Sequence, residues 1–169
     1  MKKLVITGLV ALMVFVVPAA SFAGKVVLPE ETEIKVKFDP AMMVDSGKLQ
    51  AGVTIAIYLA EDIKIGGKTI VEAGAEGTAK VEEAVSASRP GKPGMIKIAF
   101  VDLASKGAYA TASGEMIKLA GVAAHEGKGR KFLSWLFIAG LFIKGQQGAI
   151  DTMLEYPATI GETIILRSD

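Results

Sequence analysis

The sequence predicts an all-β protein: an antiparallel barrel or sandwich with one short apolar helix or hairpin excursion. Three observations predict it. Runs of strand length alternate apolar and polar residues along the chain. Gly and Pro punctuate those runs at short, regular spacing. Helical periodicity is almost absent. The densest stretch is Val53–Leu103, where β-type runs are separated by a Gly pair, an Ala-Gly step and a Pro-Gly loop. It reads as an antiparallel meander on which the remaining elements pair or pack.

The N-terminus comes first. Met1-Lys2-Lys3 is a short positive region, and Leu4–Val17 carries no charge. Pro18–Ala23 then offers small residues, Ser21 and Ala23, at the −3 and −1 positions of a cut after Ala23. This is the pattern of a secretory signal peptide. The uncharged run falls short of the ~20 residues a spanning helix needs, which argues against an uncleaved anchor. The expected organisation is a signal peptide over residues 1–23 and one β domain over 24–169.

Composition narrows the function. The chain of 169 residues has a formal charge of +1, and loss of Lys2 and Lys3 would make the mature domain −1. A nearly neutral domain has no electrostatic footprint for nucleic acid. Cys is absent, so there is no disulfide, thiolate nucleophile or Cys-based metal site. Asn is absent too, which removes N-glycosylation acceptors. The length suffices for one domain held by its own core.

The strands follow in order. In Thr32–Phe38, Ile34, Val36 and Phe38 alternate with Glu33, Lys35 and Lys37, the mark of a half-buried strand. Asp39-Pro40 ends it, and Asp45-Ser46-Gly47 is a turn in the connection that follows. Val53, Ile55, Ile57 and Leu59 form the next apolar face. Ile63–Ile65 and Lys68–Val71 flank Gly66-Gly67, a two-residue hairpin signal because primed turns need positive φ. Thr78–Glu83 is a further strand. Ser86–Gly94 is a polar loop, and Met95–Leu103 returns with Ile96, Ile98 and Phe100 on one face. Ser113-Gly114 turns Tyr109–Ala112 back into Glu115–Leu119. Gly121–Lys131 reads as a flexible basic segment, and Thr163–Leu166 as the last strand.

The sharpest feature is Phe132–Ile143, twelve residues with no charge that include the only Trp. Runs of about 10–14 apolar residues usually form a core element, here a helix or hairpin over the barrel mouth. The functional reading makes Phe132, Leu133, Trp135, Leu136, Phe137, Ile138, Leu141, Phe142 and Ile143 a contact with a membrane or a protein partner. Lys128, Arg130 and Lys131 would then meet anionic head groups, at ~1 kcal/mol each near such a surface. The competing reading leaves those charges solvated.

Other motifs are weaker. Gly67-Lys68-Thr69 has the ending of a phosphate-binding loop, but Asp62 stands where that loop needs its first Gly. Arg89–Gly94 is a rigid turn or a recognition loop. His125 is the only His, and with no Cys it makes a poor zinc site; it is expected in an exposed loop without a catalytic role. Glu30-Glu31, Glu61-Asp62 and Glu82-Glu83 are sequence neighbours. Neighbours on a strand point to opposite faces, so they do not form the facing carboxylates of a glycosidase. No nucleophile motif and no cofactor signature appear.

The punctuation has a further resemblance. Leu28-Pro29-Glu30-Glu31-Thr32, Ala60–Val81, Arg89–Leu103 and Gly114–Gly121 resemble a family of small exported bacterial β domains. That family carries "LPAGT", "AxDVxxxGxxxIPAGAxxxGxV", "GRxGKPGxIxI" and "dGxxIxLxG" phrases. Ile143-Lys144-Gly145 and Glu155–Leu166 resemble its closing "IKG…eIpaGTefxAxV", with Thr159-Ile160 standing where Gly-Thr is usual. The likeness covers nearly all of the expected mature chain and is specific to fold rather than to function. The pattern is remotely similar to the C-terminal β-barrel of the outer-membrane channel subunit of type IV secretion systems. There an apolar helical pair follows the "dGxxIxL" strand, at the place of the shorter Phe132–Ile143. That subunit's long N-terminal tail and inner-membrane helix have no counterpart here, so a complete channel subunit is not expected.

The resemblance implies a periplasmic or outer-membrane-peripheral domain. The signal-peptide pattern, the turn-punctuated strands and the lack of paired catalytic groups point to a non-enzymatic binding or scaffolding role toward an envelope protein or outer-membrane lipid. The alternative is a membrane-inserting component of a secretion-type assembly.

Overall fold

The computed structural model describes residues 24–89, 91–111, 114–128 and 144–168. The chain order is β1 (Lys25–Leu28), β2 (Glu33–Phe38), β3 (Thr54–Leu59), β4 (Ile63–Ile65), β5 (Lys68–Val71), β6 (Glu76–Val85) and β7 (Met95–Leu103). It continues with β8 (Tyr109–Thr111), β9 (Ile117–Ala120), β10 (Val122–Glu126), β11 (Glu155–Ile160) and β12 (Ile164–Ser168). No helix occurs among the described residues.

Six strands close into an antiparallel barrel in the order β7-β6-β3-β2-β11-β9, with β9 returning to β7. The inward side chains follow from alternation: Ile34, Val36 and Phe38 from β2, and Ile55, Ile57 and Leu59 from β3, all buried. Ile96, Ile98 and Phe100 of β7 meet them, and Phe38 packs on Phe100 at 6.2 Å and edge-on to Tyr156 at 5.4 Å. Each fully buried Ile, Leu or Phe contributes roughly 2 kcal/mol over exposure to water. The interior is filled with side chains, as expected of a small barrel.

Two irregularities adjust the alternation. On β7 the register slips between Ala79↔Phe100 and Thr78↔Asp102, so Val101 is extra and Leu103 regains the core. On β6 the slip lies between Val81 and Glu83, which leaves Glu82 and Glu83 both exposed. The opposite-faces expectation for that pair therefore fails at a bulge. Lys97 Nζ bridges Glu82 at 2.7 Å, and this partner holds the Lys97 ammonium pKa above its ordinary value.

The predicted Gly-Gly hairpin is present. Gly66 and Gly67 have φ of 57° and 80° between β4 and β5, which lie beside the ring as a two-stranded sheet. The Asp62 carboxylate accepts from Ala73 N–H at 2.9 Å, and this bond holds its pKa below the ordinary value. β1, β12 and β8 form a separate three-stranded sheet. β1 falls in the segment expected as a lead-in, because Lys25–Leu28 is too short to show alternation.

The segment Gly121–Lys131 corrects an expectation. Its first part is β10, paired antiparallel with β7 from Val122↔Ala99 to Glu126↔Met95, so His125 sits on a strand. β9 and β10 are one bent strand. Their sequence is rich in Gly and Ala, which hides the alternation.

Gly77 tests the packing at the β3-β6-β7 junction. A methyl group there would run into the Asp102 carbonyl oxygen and lie 3.2 Å from Ile57 Cγ1. Gly77→Ala is expected to lower stability by about 2 kcal/mol in urea unfolding followed by circular dichroism, with the far-ultraviolet spectrum retained.

Candidate functional site

Antiparallel connectivity sends the long connections 39–53, 86–94 and 127–154 to one end of the barrel. That end is where the sequence places its candidate contacts. A buried polar cluster ties the three connections together. Ser46 is only 1% exposed, and its hydroxyl donates to Gln147 Oε1 at 2.9 Å. The same oxygen accepts Ala87 N–H at 2.8 Å. Gly148 N–H donates to Ser46 Oγ at 3.0 Å, and Ser46 N–H donates to the Gly148 carbonyl at 2.8 Å. Ser86 Oγ donates to the Ser46 carbonyl at 3.0 Å. Ile150 N–H donates to the Val44 carbonyl at 2.9 Å, which lays the 147–150 strap against residues 44–46.

Glycine makes this close approach possible. A methyl on Gly94 would lie 2.6 Å from Ser46 Oγ and 2.7 Å from Gln147 Oε1. The Ser88–Lys92 turn closes on itself through paired main-chain bonds of 3.1 and 3.0 Å, with Gly91 at φ 55°. Sequence reasoning missed the cluster. Ser46 and Gln147 are 101 residues apart and belong to loops of ordinary composition.

The predicted contact residues fall as follows. Lys128 is exposed at this rim, and its carbonyl accepts Gln146 N–H at 3.2 Å. Gly127 N–H donates to the Gly94 carbonyl, and Gly94 N–H to the Gln146 carbonyl, both at 2.8 Å. The flanks on either side of residues 129–143 are therefore pinned together. Arg130, Lys131 and the contact residues from Phe132 to Ile143 lie outside the described residues. His125 Nδ1 accepts Ala149 N–H at 3.2 Å, which fastens the strap to β10 and fixes the ring proton on Nε2 when the imidazole is neutral.

Exposed apolar side chains gather on the same connections: Met43 at 62%, Met153 at 78% and Leu154 at 55% exposure. The Tyr156 hydroxyl donates to the Asp151 carbonyl at 2.8 Å. Burial, and secondarily the Asp151 charge, push its pKa above the ordinary phenol value.

A second feature lies on the barrel flank. An open groove of about 420 Å³ runs over β2, β11 and the β9–β10 bend, lined by Glu33, Lys35, Glu61, Gly121, Pro157 and Thr159 among others. Lys35 Nζ bridges Glu61 at 3.2 Å and Glu155 at 3.5 Å, and these partners raise its pKa, Glu61 foremost. All three side chains are half-exposed or more, so the bridges add little to stability. Among the described residues no cluster of three metal-ligating side chains occurs, and no helix is long and apolar enough to cross a membrane. No family model, curated protein or solved structure matches the chain.

The Ser46–Gln147 pair should be energetically coupled. Ser46→Ala and Gln147→Ala are each expected to cost about 1–3 kcal/mol, because each leaves buried partners unpaired. The double variant should cost less than the sum, by roughly 1 kcal/mol, in a double-mutant cycle of urea unfolding.

Proposed function

We propose that this chain is an exported β-barrel domain of the bacterial cell envelope that binds or scaffolds and has no chemistry of its own. The loop-bearing end is its contact end. One observation carries the reading. A buried Ser, a half-buried Gln, a strap and the close-fitting Gly94 hold the flanks of residues 129–143 together at one rim. A rim whose connections are fixed in this way is a rigid base for loop-borne contacts, and Phe132–Ile143 belongs to one of those connections.

The polar groups of this cluster are spent on one another and on the main chain. Gln147 Oε1 takes two donors, and His125 Nδ1 takes the Ala149 N–H. That supports a supporting rather than a reacting role for them. Export rests on the Met1–Ala23 pattern, and the envelope assignment on the resemblance of the strand and turn phrases to small exported β domains.

A second reading makes the chain a membrane-inserting part of a secretion-type assembly. It is favoured by exposed Lys128 and exposed Met43, Met153 and Leu154 at the same end.

Fractionation of cells expressing the full chain, beside a variant lacking Phe132–Ile143, tests both. The expected result is release of both versions with the soluble periplasmic fraction, each shortened by the length of residues 1–23. If the intact chain stays on membranes through high-salt and alkaline carbonate washes while a folded deletion variant is released, the second reading replaces the first. Retention of the unshortened chain in the cytoplasm would overturn export.

A further inference from the structure

The barrel wall has an open seam. β11 is paired to β9 only at Thr159↔Ala120 and Ile160↔Leu119. At Gly121 (φ 141°) the bent strand leaves β11 and follows β7 as β10. Continuing the register past the bend would set Val122 across from Pro157 and Ala124 across from Glu155, yet these are not paired.

Hydrogen-bond direction shows what faces the seam. Phe100 N–H donates to the Gly121 carbonyl at 3.0 Å, and Gly127 N–H to the Gly94 carbonyl at 2.8 Å. The odd-numbered residues between them therefore bond β7, and the N–H and C=O groups of Val122, Ala124 and Glu126 point the other way. Lys128 is next in that series, and its carbonyl is taken by Gln146 N–H. Val122 and Ala124 have no main-chain partner on that side among the described residues.

The opposite lip is different. Ala60 N–H donates to the Lys35 carbonyl at 2.8 Å, so the main-chain groups of Lys35 face β3. Lys35↔Pro157 is then a non-hydrogen-bonded pair, and Pro157 lacks its N–H where that group would have faced the seam. Proline blunts the β11 edge, while β10 keeps its donors and acceptors.

We propose that the β10 edge at Val122–Glu126 takes an extended peptide segment of a partner protein as an added strand. Main-chain bonds would supply the binding. The outward side chains would select it: Val122, 47% exposed, and Pro157 favour an apolar residue. Glu126 has no ion pair among the described residues, and Glu155 shares Lys35 with Glu61. A Lys or Arg two to four residues along the peptide would complement them. This rests on the reading of the chain as a binding scaffold and names the class of partner.

Amide hydrogen exchange on the full chain, followed by NMR, is the first arm. Val122, Ala124 and Glu126 amides should exchange fast, and Ala123 and His125 slowly. Protection of the first three in the dilute chain would mean the edge is already covered from within, and protection that grows with concentration would mean a second copy covers it. Either overturns the proposal.

The second arm is selection from a displayed library of random linear peptides of about six to ten residues, the span of ordinary strands. Bound peptides should protect those amides. They should lose about tenfold in affinity against Ala124→Pro, whose missing N–H faces the seam and leaves the β7 ladder intact. Glu126→Lys should weaken the basic peptides alone. Unchanged melting of both variants shows that the fold is kept. Absence of any binder, or binders indifferent to Ala124→Pro, would overturn the inference. Neither arm depends on cell fractionation, so it can fail while the envelope reading stands, and the reverse.

Discussion

The fold depends on one strand serving two neighbours. β7 receives β9 at Asp102↔Lys118 and Leu103↔Ile117, then β10 from Ala99↔Val122 upward. Between the two pairings the register slips by one residue, the two-against-one count of a bulge. The bend falls at Gly121, where a side chain would press on Phe100, on Ala158 Cα and on the Pro157 carbonyl. This slip turns Leu119 and Ala120 toward β11 and closes the ring, while it carries β10 away from β11. Closure of the core and opening of the seam are thus two results of the same bend. Closed barrels avoid exposed edges, and among the described residues this one keeps a short edge at β10.

The strands with charge alternation were legible in the sequence. Glu33–Phe38 and Met95–Leu103 were bounded well, and Gly66-Gly67 marked its hairpin, because local sterics and one buried face dictate all three. The closure was not legible. β10 reads Val-Ala-Ala-His-Glu after Gly121, and only Ala123 is buried. A strand whose inward positions are Ala and His gives no period-two signal. β1 spans only two alternations and has apolar residues at three of its four positions, and β11 contains Pro157, which argues against a strand unless its N–H side is known to be open. The bulge at Glu82 likewise follows from pairing with β7 rather than from its own sequence.

The loop-bearing end was half legible. Its components were visible as an uncharged run, a basic approach and Gly-Pro loops. Their assembly was not, since it relies on Ser46 and Gln147 meeting through three separate connections. Buried polar clusters of this kind are set by tertiary placement and carry no local pattern. They also divide the molecule in two. The strands supply most of the core, to which the rim connections add Val44 and Ile150, while the polar groups of those connections hold them in position. The proposed binding role at that rim and the proposed added strand at the flank both draw on features that the core does not require.

The absence of Cys allows a clean test of the bend. One double variant carries Ala120→Cys with Thr159→Cys, a directly opposed pair on the outer face; a second carries Val122→Cys with Pro157→Cys, across the seam. Each would be oxidised under mild conditions and scored by the gain of a disulfide. Directly opposed strand residues lie within the ~4.4–6.8 Å Cα spacing a disulfide needs. A disulfide is expected in the first variant and free thiols in the second. Disulfides in both would mean that β10 continues along β11 and no seam exists. A failure of the first would mean that the barrel does not close through β9.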